Sequence, residues 1–549
     1  MLLAGCSGSA LPPVQEDSRA PIEAHSASIT LSGKALGDPE GVVNGGRFLS
    51  PKHKMRTHLE LPNGRYQIDV QAHTSPYDGA AGKLLVLGNQ RELGTLSFPE
   101  NNRTLRTLQF DLEGWQGLSL ETRFTNDAYD PTDGRDRNLL VDFVRISPVQ
   151  QASPIVRSEA IRHALKNANL LLISLDTLRA DHLSAYGYPE NTSPHIDAMA
   201  AAGVRFSNAI SASHWTAPSH ATMLTGLHPE QHGITQYPTP GKLAESIETL
   251  GERMANAGYQ TGWFADGGYV SEKLGFAKGF EHRTETFVTA EERFSQVSRW
   301  IESLDSDRPW FAFVHTFQIH DPYAPPTQSD LGHIDLNQLP SPQQLQQLIA
   351  LYDAEIRYTD KHLGLLLEAV DQQNTLIILT SDHGEEFMEH GQLQHSSLHG
   401  ELLRVPLIFS HPILKFAAID APDQIAPAVH LVPTVLDLLS LPSDETLPGN
   451  SLLPPMTGQP TPTTAYASSR MFRTQWSALD RQGHYIEDGA QKIFYDLPTD
   501  TVEQTPGTAP SRYEQALQKW KRNTTLQAPP GIAENFDEHE VLKLLGYVE

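Results

Sequence analysis

Two acidic residues, a histidine and a threonine are spaced in a way that suits a metal-dependent reaction. Asp176 directly follows the apolar run Leu170–Leu175, and Asp382 and His383 follow the run Thr375–Leu379, with Thr216 between them in the chain. Because functional residues gather where the strands of α/β sheets end, these side chains can converge on one divalent ion. Two carboxylates, an imidazole and a hydroxyl suit zinc or manganese more than calcium or magnesium, which stay open as alternatives.

Thr216 carries an ordinary hydroxyl, which must be activated from outside before it can act as a nucleophile. A divalent metal lowers the pKa of a bound water from about 15.7 to about 7, and a bound alcohol should shift in the same direction. We therefore expect Thr216 to be both a metal ligand and the nucleophile.

Three histidines are further candidates for catalysis. His220 follows Thr216 by four residues, which is one turn if a helix begins there. His320 lies in the segment V-H-T-F-Q-I-H-D-P-Y, and His395 follows Asp382 closely enough to share its cleft. His320 and His395 could bind a second metal, donate hydrogen bonds to substrate, or act as general acids for the leaving group.

The segments that must position these residues are predicted to form an α/β domain over residues 169–463. Continuous apolar runs are typical of parallel strands buried on both faces, and they lie at Leu170–Leu175, Trp310–Val314, Thr375–Leu379 and Val405–Phe409. Helical patterns lie at Ser193–Ala202, Leu243–Ala257, Ala290–Leu304 and Pro342–Asp371. This alternation predicts an α/β sandwich around a mostly parallel sheet. Residues 464–549 are predicted to form a C-terminal subdomain of the same fold, with short strands and a last helix near Glu538–Leu545.

Residues 28–147 carry a different pattern, in which short β-type runs alternate with turn signals. These runs are Lys54–Leu61, Tyr66–His73, Lys83–Leu87, Leu105–Leu112, Leu118–Thr125 and Leu139–Ile146. Their spacing, without helical periodicity, predicts an all-β antiparallel sandwich. Residues 148–168 are predicted to link the two domains.

Several motifs occur in one order between residues 169 and 495. They are L-D-T-L-R-A-D-H-L, T-A-P-S-H-A-T-M-L-T-G-L-H-P-E-Q-H-G, S-D-H-G-E-E-F and L-L-R-V-P-L-I. Together they resemble the sulfatase family of the alkaline phosphatase superfamily, which implies that family's α/β sandwich.

The segment T-A-P-S-H resembles the family's nucleophile segment C-x-P-S-R. In this comparison Thr216 replaces the cysteine that becomes formylglycine, and His220 replaces the arginine.

Other positions also depart from the sulfatase pattern. Thr177 replaces the second acid of a tandem pair, His383 replaces an asparagine, and residues 264–268 lack the basic residues of the family's G-K-W-H segment. These departures resemble the Asp or Glu, Thr, Asp and His metal set of phosphoethanolamine transferases, lipoteichoic acid synthase and nucleotide phosphodiesterases. That resemblance implies that Thr216 attacks phosphorus and forms a covalent threonyl ester, which water or an acceptor alcohol then attacks.

Three functions are open at this point. The first is a metal-dependent hydrolase or transferase that acts on phosphate esters or diesters, including glycan-linked ones. The second is a sulfatase that works through threonine on sulfated glycans, and the third is a non-catalytic glycan-binding lipoprotein. The set of Asp176, Thr216, Asp382 and His383 disfavours the third, since an inactive scaffold need not keep such a set.

The segment before the α/β domain has its own signature, F-T-N-D-A-Y followed by D-R-N-L-L-V-D. It resembles calcium-dependent xylan-binding modules, in which the ion chelates sugar hydroxyls. The resemblance implies a calcium and glycan site at Asn126, Asp127, Asp136 and Asn138, because clustered Asn and Asp oxygens suit calcium. An Asx-rich turn that only caps strands is the alternative.

Net charge and cysteine content limit the kinds of binding partner and metal site that the protein can have. The formal net charge of −25 argues against nonspecific nucleic-acid binding, so an anionic substrate needs a local positive site. Cys6 is the only cysteine, which excludes structural disulfides and thiolate metal sites. The sequence L-A-G-C at residues 3–6 resembles a bacterial lipobox, which implies a lipid anchor at Cys6, a tether up to residue 27 and a place in the cell envelope. We expect membrane contact only through that anchor, and the oligomeric state stays open.

Overall fold

The structure is a computed structural model with two compact units, residues 1–152 and 153–549. Between residues 22 and 148 it describes the strands alone. From residue 154 it describes the chain apart from residues 327–338, 418–423, 460, 462, 535 and 545–549. Cys6 and the predicted calcium ligands Asn126, Asp127, Asp136 and Asn138 lie outside the described residues.

The first unit is all-β in its described part, as predicted. Its strands form one sheet of order β1-β5-β10-β7-β8 and a second of order β3-β4-β11-β6-β9, with β2 also paired to β11. Alternate residues of β6, namely Ile68, Val70 and Ala72, are fully buried, as expected for a sandwich strand with one face inward. The strands are β1 (Ile22–Glu23), β2 (Ile29–Ser32), β3 (Val42–Val43), β4 (Gly46–Leu49), β5 (Lys54–Glu60), β6 (Gly64–Thr74), β7 (Gly82–Gly88), β8 (Arg91–Phe98), β9 (Thr104–Leu112), β10 (Leu118–Phe124) and β11 (Leu139–Pro148).

The second unit is built on a sheet of order β13-β22-β18-β12-β17-β15-β16. A small sheet has the order β21-β14-β23, and β19 and β20 form a short hairpin. The strands of these three sheets are β12 (Asn169–Leu175), β13 (Gly203–Arg205), β14 (Asn208–Ile210), β15 (Gln260–Ala265), β16 (His282–Glu285), β17 (Trp310–Thr316), β18 (Thr375–Thr380), β19 (Glu386–Phe387), β20 (Leu393–Gln394), β21 (Arg404–Val405), β22 (Leu407–Ser410) and β23 (Ile425–Pro427). The five strands from β18 to β16 are parallel. The sheet is therefore mostly parallel, as predicted.

Helices cover both faces of this sheet. Leu170 and Leu172 belong to the core on one face, whereas Leu171 and Ile173 belong to the core on the other. The helices are α1 (Pro154–Leu165), α2 (Pro194–Ala201), α3 (Thr216–Thr225), α4 (Pro229–His232), α5 (Leu250–Asn256), α6 (Ala290–Glu302), α7 (Pro342–Ala369), α8 (Gly400–Leu403), α9 (Pro412–Ala417), α10 (Leu431–Leu438), α11 (Leu453–Met456), α12 (Ser511–Asn523) and α13 (Glu538–Leu544). None of the described helices is long and apolar enough to cross a membrane.

The prediction of one parallel strand at Val405–Phe409 is wrong. The run divides into β21, which pairs with β14, and β22, which pairs antiparallel with β18 in the main sheet. Pro406 lies between the two pieces, and proline has no N–H to donate to a ladder. The apolar pattern located the buried segment but could not give its direction.

The C-terminal part of the second unit contains a four-stranded antiparallel sheet of order β24-β25-β26-β27. Its strands are β24 (Ala465–Ser469), β25 (Gln475–Leu479), β26 (His484–Asp488) and β27 (Gln491–Tyr495). Leu517 and Trp520 of α12 pack with Ala478, Tyr485 and Phe494 of this sheet in one buried cluster.

Candidate active site

The two predicted acidic ligands meet at one edge of the main sheet. Asp176 follows the end of β12 and Asp382 lies just beyond β18, and these strands are parallel neighbours. Both side chains are fully buried. The backbone N–H of Thr177 donates to Asp382 Oδ1 over 3.3 Å, which links the two strand ends directly.

Thr177 takes a left-handed backbone conformation, with φ of 57°. That conformation is costly for a β-branched residue, so neighbouring contacts must hold it. The buried Tyr352 hydroxyl donates to the Thr177 carbonyl over 2.8 Å and accepts from Arg179 N over 2.8 Å. The turn after β12 is thus fixed in the shape that aims its backbone N–H at Asp382.

Thr216 is the first residue of α3 and is almost fully buried beside these carboxylates. Trp215 before it is extended, with φ of −148° and ψ of 160°, so the chain turns sharply into the helix. A serine network braces this turn: Ser219 Oγ donates to Ser213 O over 3.1 Å, and Ser211 Oγ lies 3.1 Å from Ser219 Oγ. Ser211 also contacts the carbonyl of Asp382, which ties the threonine segment to the β18 end.

His383 directs an unprotonated nitrogen at Thr216. Its Nδ1 lies 2.9 Å from the carbonyl of Gly384. Because a carbonyl only accepts, Nδ1 must carry the proton. Burial lowers the pKa of His383, so the ring is neutral near pH 7 and Nε2 keeps its lone pair. That Nε2 lies 3.4 Å from Thr216 Oγ1, 3.3 Å from Asp382 Oδ2 and 4.0 Å from Asp176 Oδ1.

These donor atoms fit a small divalent cation. Ligand atoms about 2.0 Å from a tetrahedral ion lie about 3.3 Å apart, close to the spacings around His383 Nε2. Asp176 Oδ1 and Asp382 Oδ2 are buried and have no hydrogen-bond partner among the described residues. Burial and the charge of Asp382 raise the pKa of Asp176 well above its usual range, so the pair resists double ionisation without a cation. Asp176, Thr216, Asp382 and His383 therefore meet, as the sequence predicts.

His220 also lies in this cluster, but its nitrogens are engaged. A second grouping, of Asp176, His220 and Asp382, also has ligand atoms within 4.8 Å of one another. However, His220 Nδ1 lies 2.9 Å from the carbonyl of Thr216 and so carries the proton, and Nε2 lies 3.0 Å from Ser174 Oγ. The protonated Nδ1 is also the nitrogen nearest to Asp382 Oδ2, at 3.5 Å, so His220 suits a positioning residue better than a ligand.

His320 and His395 lie beside the cluster rather than within it. The ring of His395 is 4.8 Å from that of His383 and 5.5 Å from that of His320, centre to centre. Burial lowers the pKa of both, to about 4 for His395. Glu385 Oε1 lies 3.6 Å from His395 Nδ1. The Tyr323 hydroxyl donates to the other oxygen of Glu385, Oε2, over 2.8 Å.

His315 is a site residue that the sequence analysis did not assign. It lies in β17 next to β12, and its Nε2 lies 3.1 Å from Asp176 Oδ2. Its ring centre is 4.9 Å from that of His220. The sequence did contain a signal for this residue, because His315 follows the apolar run Trp310–Val314 and so lies at the end of a predicted strand, as Asp176 does. It holds the Asp176 oxygen that the donor cluster does not use.

Asp266 explains why the segment after β15 can lack basic residues. It forms a fully buried ion pair with Arg293 over 2.7 Å. Its other oxygen accepts from Phe317 N over 2.7 Å. The segment therefore supports, through Phe317, the loop that carries His320.

Comparisons with known proteins agree with this architecture. The Sulfatase family model matches residues 168–441. The model of the Ca-dependent xylan-binding carbohydrate-binding module matches residues 67–158. Delta 4,5-hexuronate-2-O-sulfatase of Bacteroides thetaiotaomicron is 23% identical over 428 residues, which covers 65% of this chain and 88% of that protein.

Two solved structures illustrate the range of the fold. BT4656, in complex with its substrate D-glucosamine-2-N,6-O-disulfate, has a TM-score of 0.54 at 18% identity and covers 69% of this chain and 98% of its own. Phosphonate monoester hydrolase of Agrobacterium radiobacter has a TM-score of 0.53 at 20% identity and covers 65% of this chain and 94% of its own. The chain therefore belongs to the sulfatase family of metal-dependent hydrolases within the alkaline phosphatase superfamily, with a Ca-dependent xylan-binding type of module before its catalytic domain.

Proposed function

We propose that this protein cleaves singly charged phosphate esters, phosphodiesters above all, with Thr216 as the nucleophile. The observation that carries the proposal is the 3.4 Å separation between Thr216 Oγ1 and the unprotonated Nε2 of His383. Together with two buried carboxylates, this donor set suits zinc or manganese better than calcium, which prefers six to eight oxygen ligands. When bound, the cation would lower the pKa of the Thr216 hydroxyl so that its oxygen can attack.

The chemistry of the intermediate favours phosphorus over sulfur. The Thr216 oxygen forms a bond to phosphorus while the bond from phosphorus to the leaving alcohol breaks. Water, or an acceptor alcohol in a transfer reaction, then attacks phosphorus and releases Thr216. A sulfated threonine lacks the second hydroxyl through which formylglycine expels sulfate by elimination, so turnover of sulfate esters meets an added step.

Charge favours a substrate with one negative charge. The buried arginines nearest the site are already paired, Arg179 with Asp181 and Glu389, and Arg293 with Asp266. The lowered pKa values of His320 and His395 leave both rings neutral at pH 7. A divalent cation beside two carboxylates adds little net positive charge, so a diester or a phosphonate monoester suits the site better than a dianionic phosphate monoester.

His395 acts in this proposal as a hydrogen-bond donor to a substrate oxygen, because a neutral ring can donate from one nitrogen without carrying a charge. Its ring lies next to that of His383. His320 Nδ1 lies 2.6 Å from the carbonyl of Asp321 and so carries the proton, which leaves Nε2 of the neutral ring as an acceptor, for example for a hydroxyl of the substrate.

Hydrolysis of sulfate esters on glycans is the second candidate. Two similar proteins favour it: one is Delta 4,5-hexuronate-2-O-sulfatase, and the other is BT4656, whose substrate is a disulfated glucosamine. The phosphonate monoester hydrolase with the same fold favours phosphorus instead. The xylan-binding type of module supports a glycan-linked ester under either candidate. A lipid anchor at Cys6 would keep the enzyme in the bacterial cell envelope, and loss of lipid labelling in Cys6→Ser would test that anchor.

The deciding experiment compares four 4-nitrophenyl esters that share a leaving group and differ in the reacting atom, its substituents and the charge. Protein loaded with zinc or manganese is assayed on bis(4-nitrophenyl) phosphate, 4-nitrophenyl phosphate, 4-nitrophenyl phenylphosphonate and 4-nitrophenyl sulfate. We expect the diester and the phosphonate to be cleaved at least tenfold more efficiently than the other two. Turnover of the sulfate alone would replace the proposal with the sulfatase candidate. Inactivity on all four would favour a glycan-binding protein.

A further inference from the structure

The turn between β24 and β25 lies beside the segment that carries Thr216. Ser468 N at the end of β24 donates to the carbonyl of Ala212 over 3.0 Å. Arg470 pairs with Glu230 of α4 over 2.6 Å, and Ser468 Oγ donates to the same carboxylate over 3.1 Å. The hairpin is therefore fastened to the chain both before and after α3, and its turn is held near the entrance to that helix.

Phe472 at this turn is 63% exposed although it is a large aromatic side chain. Its ring centre lies 5.5 Å from that of the half-buried Tyr237, which in turn lies 5.7 Å from that of Trp215. The neighbouring Met471 packs against the main core instead. The turn is anchored by one side chain while the next stays in solvent, and a continuous aromatic row runs from Trp215, next to Thr216, to the surface.

Arg473 adds a positive charge beside this aromatic side chain. Its side chain is 48% exposed and bonds to Asp488 over 2.5 Å, which holds the guanidinium in place. Arg473 directly follows Phe472 in this turn, so its positive charge lies at the exposed end of the aromatic row.

We propose that Phe472 and Arg473 form a subsite for an anionic sugar that adjoins the reacting ester. The sugar's C–H face packs on the free face of Phe472, and its carboxylate, sulfate or phosphate pairs with Arg473. The inference rests on the proposed function, because it assigns this sugar to the leaving alcohol or its neighbour. The exposed ring and the guanidinium that follows it in the chain together match an anionic, partly apolar ligand.

The test observes Phe472 directly and needs no turnover. 4-Fluorophenylalanine is placed at position 472 of the full chain. Its fluorine resonance is then followed during titration with chondroitin 6-sulfate tetrasaccharide, phosphorylated xylotetraose and neutral xylotetraose. We expect the two anionic sugars to shift the resonance with at least tenfold higher affinity than the neutral one. Arg473→Gln should weaken both anionic sugars at least tenfold. The matched control is Arg299→Gln, which removes an arginine of 59% side-chain exposure on α6 and should leave the affinities unchanged.

Three results would overturn the subsite. The first is the absence of any shift with the anionic sugars, and the second is equal affinities in Arg473→Gln and the parent protein. The third is a change of molecular mass by light scattering in Phe472→Ala, which would make the ring part of a contact between copies of the chain. Because the fluorine signal does not depend on catalysis, a sugar-induced shift in a protein that cleaves none of the aryl esters would separate failure of the proposed function from failure of the subsite.

Discussion

Thr216 Oγ1 lies 3.4 Å from His383 Nε2, the ring nitrogen that the bond from Nδ1 to the Gly384 carbonyl leaves unprotonated. The contact joins the first residue of α3 to the end of β18, and both side chains are buried. It places the only hydroxyl of the metal-type donor cluster where a cation held by Asp176, Asp382 and His383 would also contact it.

Replacement of the nucleophile gives the first prediction. Thr216→Ala should lower kcat on the best aryl ester by about 10³-fold or more, as expected when a covalent nucleophile is removed. Thr216→Ser keeps the hydroxyl and should stay within about tenfold of the parent. Steady-state kinetics with circular dichroism as a check on folding measure both. An alanine variant with parent activity would remove Thr216 as the nucleophile.

Metal content gives the second prediction. Chelator should abolish activity, zinc or manganese should restore it, and a saturating cation should raise stability by about 2.7 kcal/mol at 100 times its Kd. Asp382→Asn should lose the bound metal by elemental analysis. Glu401→Gln is the control, because His390, His399 and Glu401 form another group with ligand atoms within 4.8 Å. Metal lost in Glu401→Gln but kept in Asp382→Asn would move the ion to that second group.

The contact between His315 and Asp176 gives the third prediction. His315→Ala removes the 3.1 Å partner of Asp176 Oδ2, so the carboxylate loses its orientation. Removal of such a supporting partner typically costs about 10- to 100-fold in metal affinity or activity, and we expect a loss of that size in both. His411→Ala is the control, because this buried histidine bonds to Gln373 O and Ile413 N in another part of the fold. Equal activity in the two variants would contradict the role of His315.

The ion pair of Asp266 and Arg293 gives the fourth prediction. Asp266→Ala leaves a fully buried guanidinium without its carboxylate and should destabilise the second unit by about 3–5 kcal/mol. The matched control is Glu292→Gln, which breaks the exposed pair with Arg299 and should cost at most about 1 kcal/mol. Chemical unfolding followed by tryptophan fluorescence compares them. Similar small losses in both variants would show that the buried pair has no structural role.

His390 gives a pH-dependent prediction. Its Nδ1 lies 2.6 Å from Glu401 Oε1 and its Nε2 lies 2.8 Å from Glu503 O. Although burial opposes it, these bonds raise the pKa of His390 to about 9. A raised pKa stabilises the fold fully below the unfolded value, near 6.5, and this contribution fades as the pH rises through 9.

The measurement compares the urea midpoint of the parent with that of His390→Gln between pH 6 and pH 10. The parent should be more stable at pH 6, and the difference should shrink above pH 9. The stacked neighbour His399, whose ring centre is 3.7 Å away, should not contribute in this range, because burial and the charge of His390 lower its pKa to about 3. A difference that does not change with pH would contradict the assignment.

The strand assignments show what the apolar pattern of a sequence can predict and what it cannot. Runs such as Leu170–Leu175 were recognisable because a parallel strand buried on both faces must be apolar throughout. The same rule failed at Val405–Phe409, because burial is equally complete in an antiparallel strand and only the neighbouring strand decides direction. The helix predicted from Leu243 begins at Leu250, where the Thr249 hydroxyl accepts from Glu252 N and caps the first turn.

The sequence by itself determined the sulfatase-type α/β unit, the all-β unit before it, and the set of Asp176, Thr216, Asp382 and His383. Residue types and their order along the chain carry that information. Only the tertiary structure decided that His383 presents Nε2 to Thr216, that His315 supports Asp176, and that the turn carrying Phe472 lies beside the nucleophile segment. These contacts join residues more than a hundred positions apart. Their geometry depends on strand order and on backbone hydrogen bonds, and neither is encoded in local spacing.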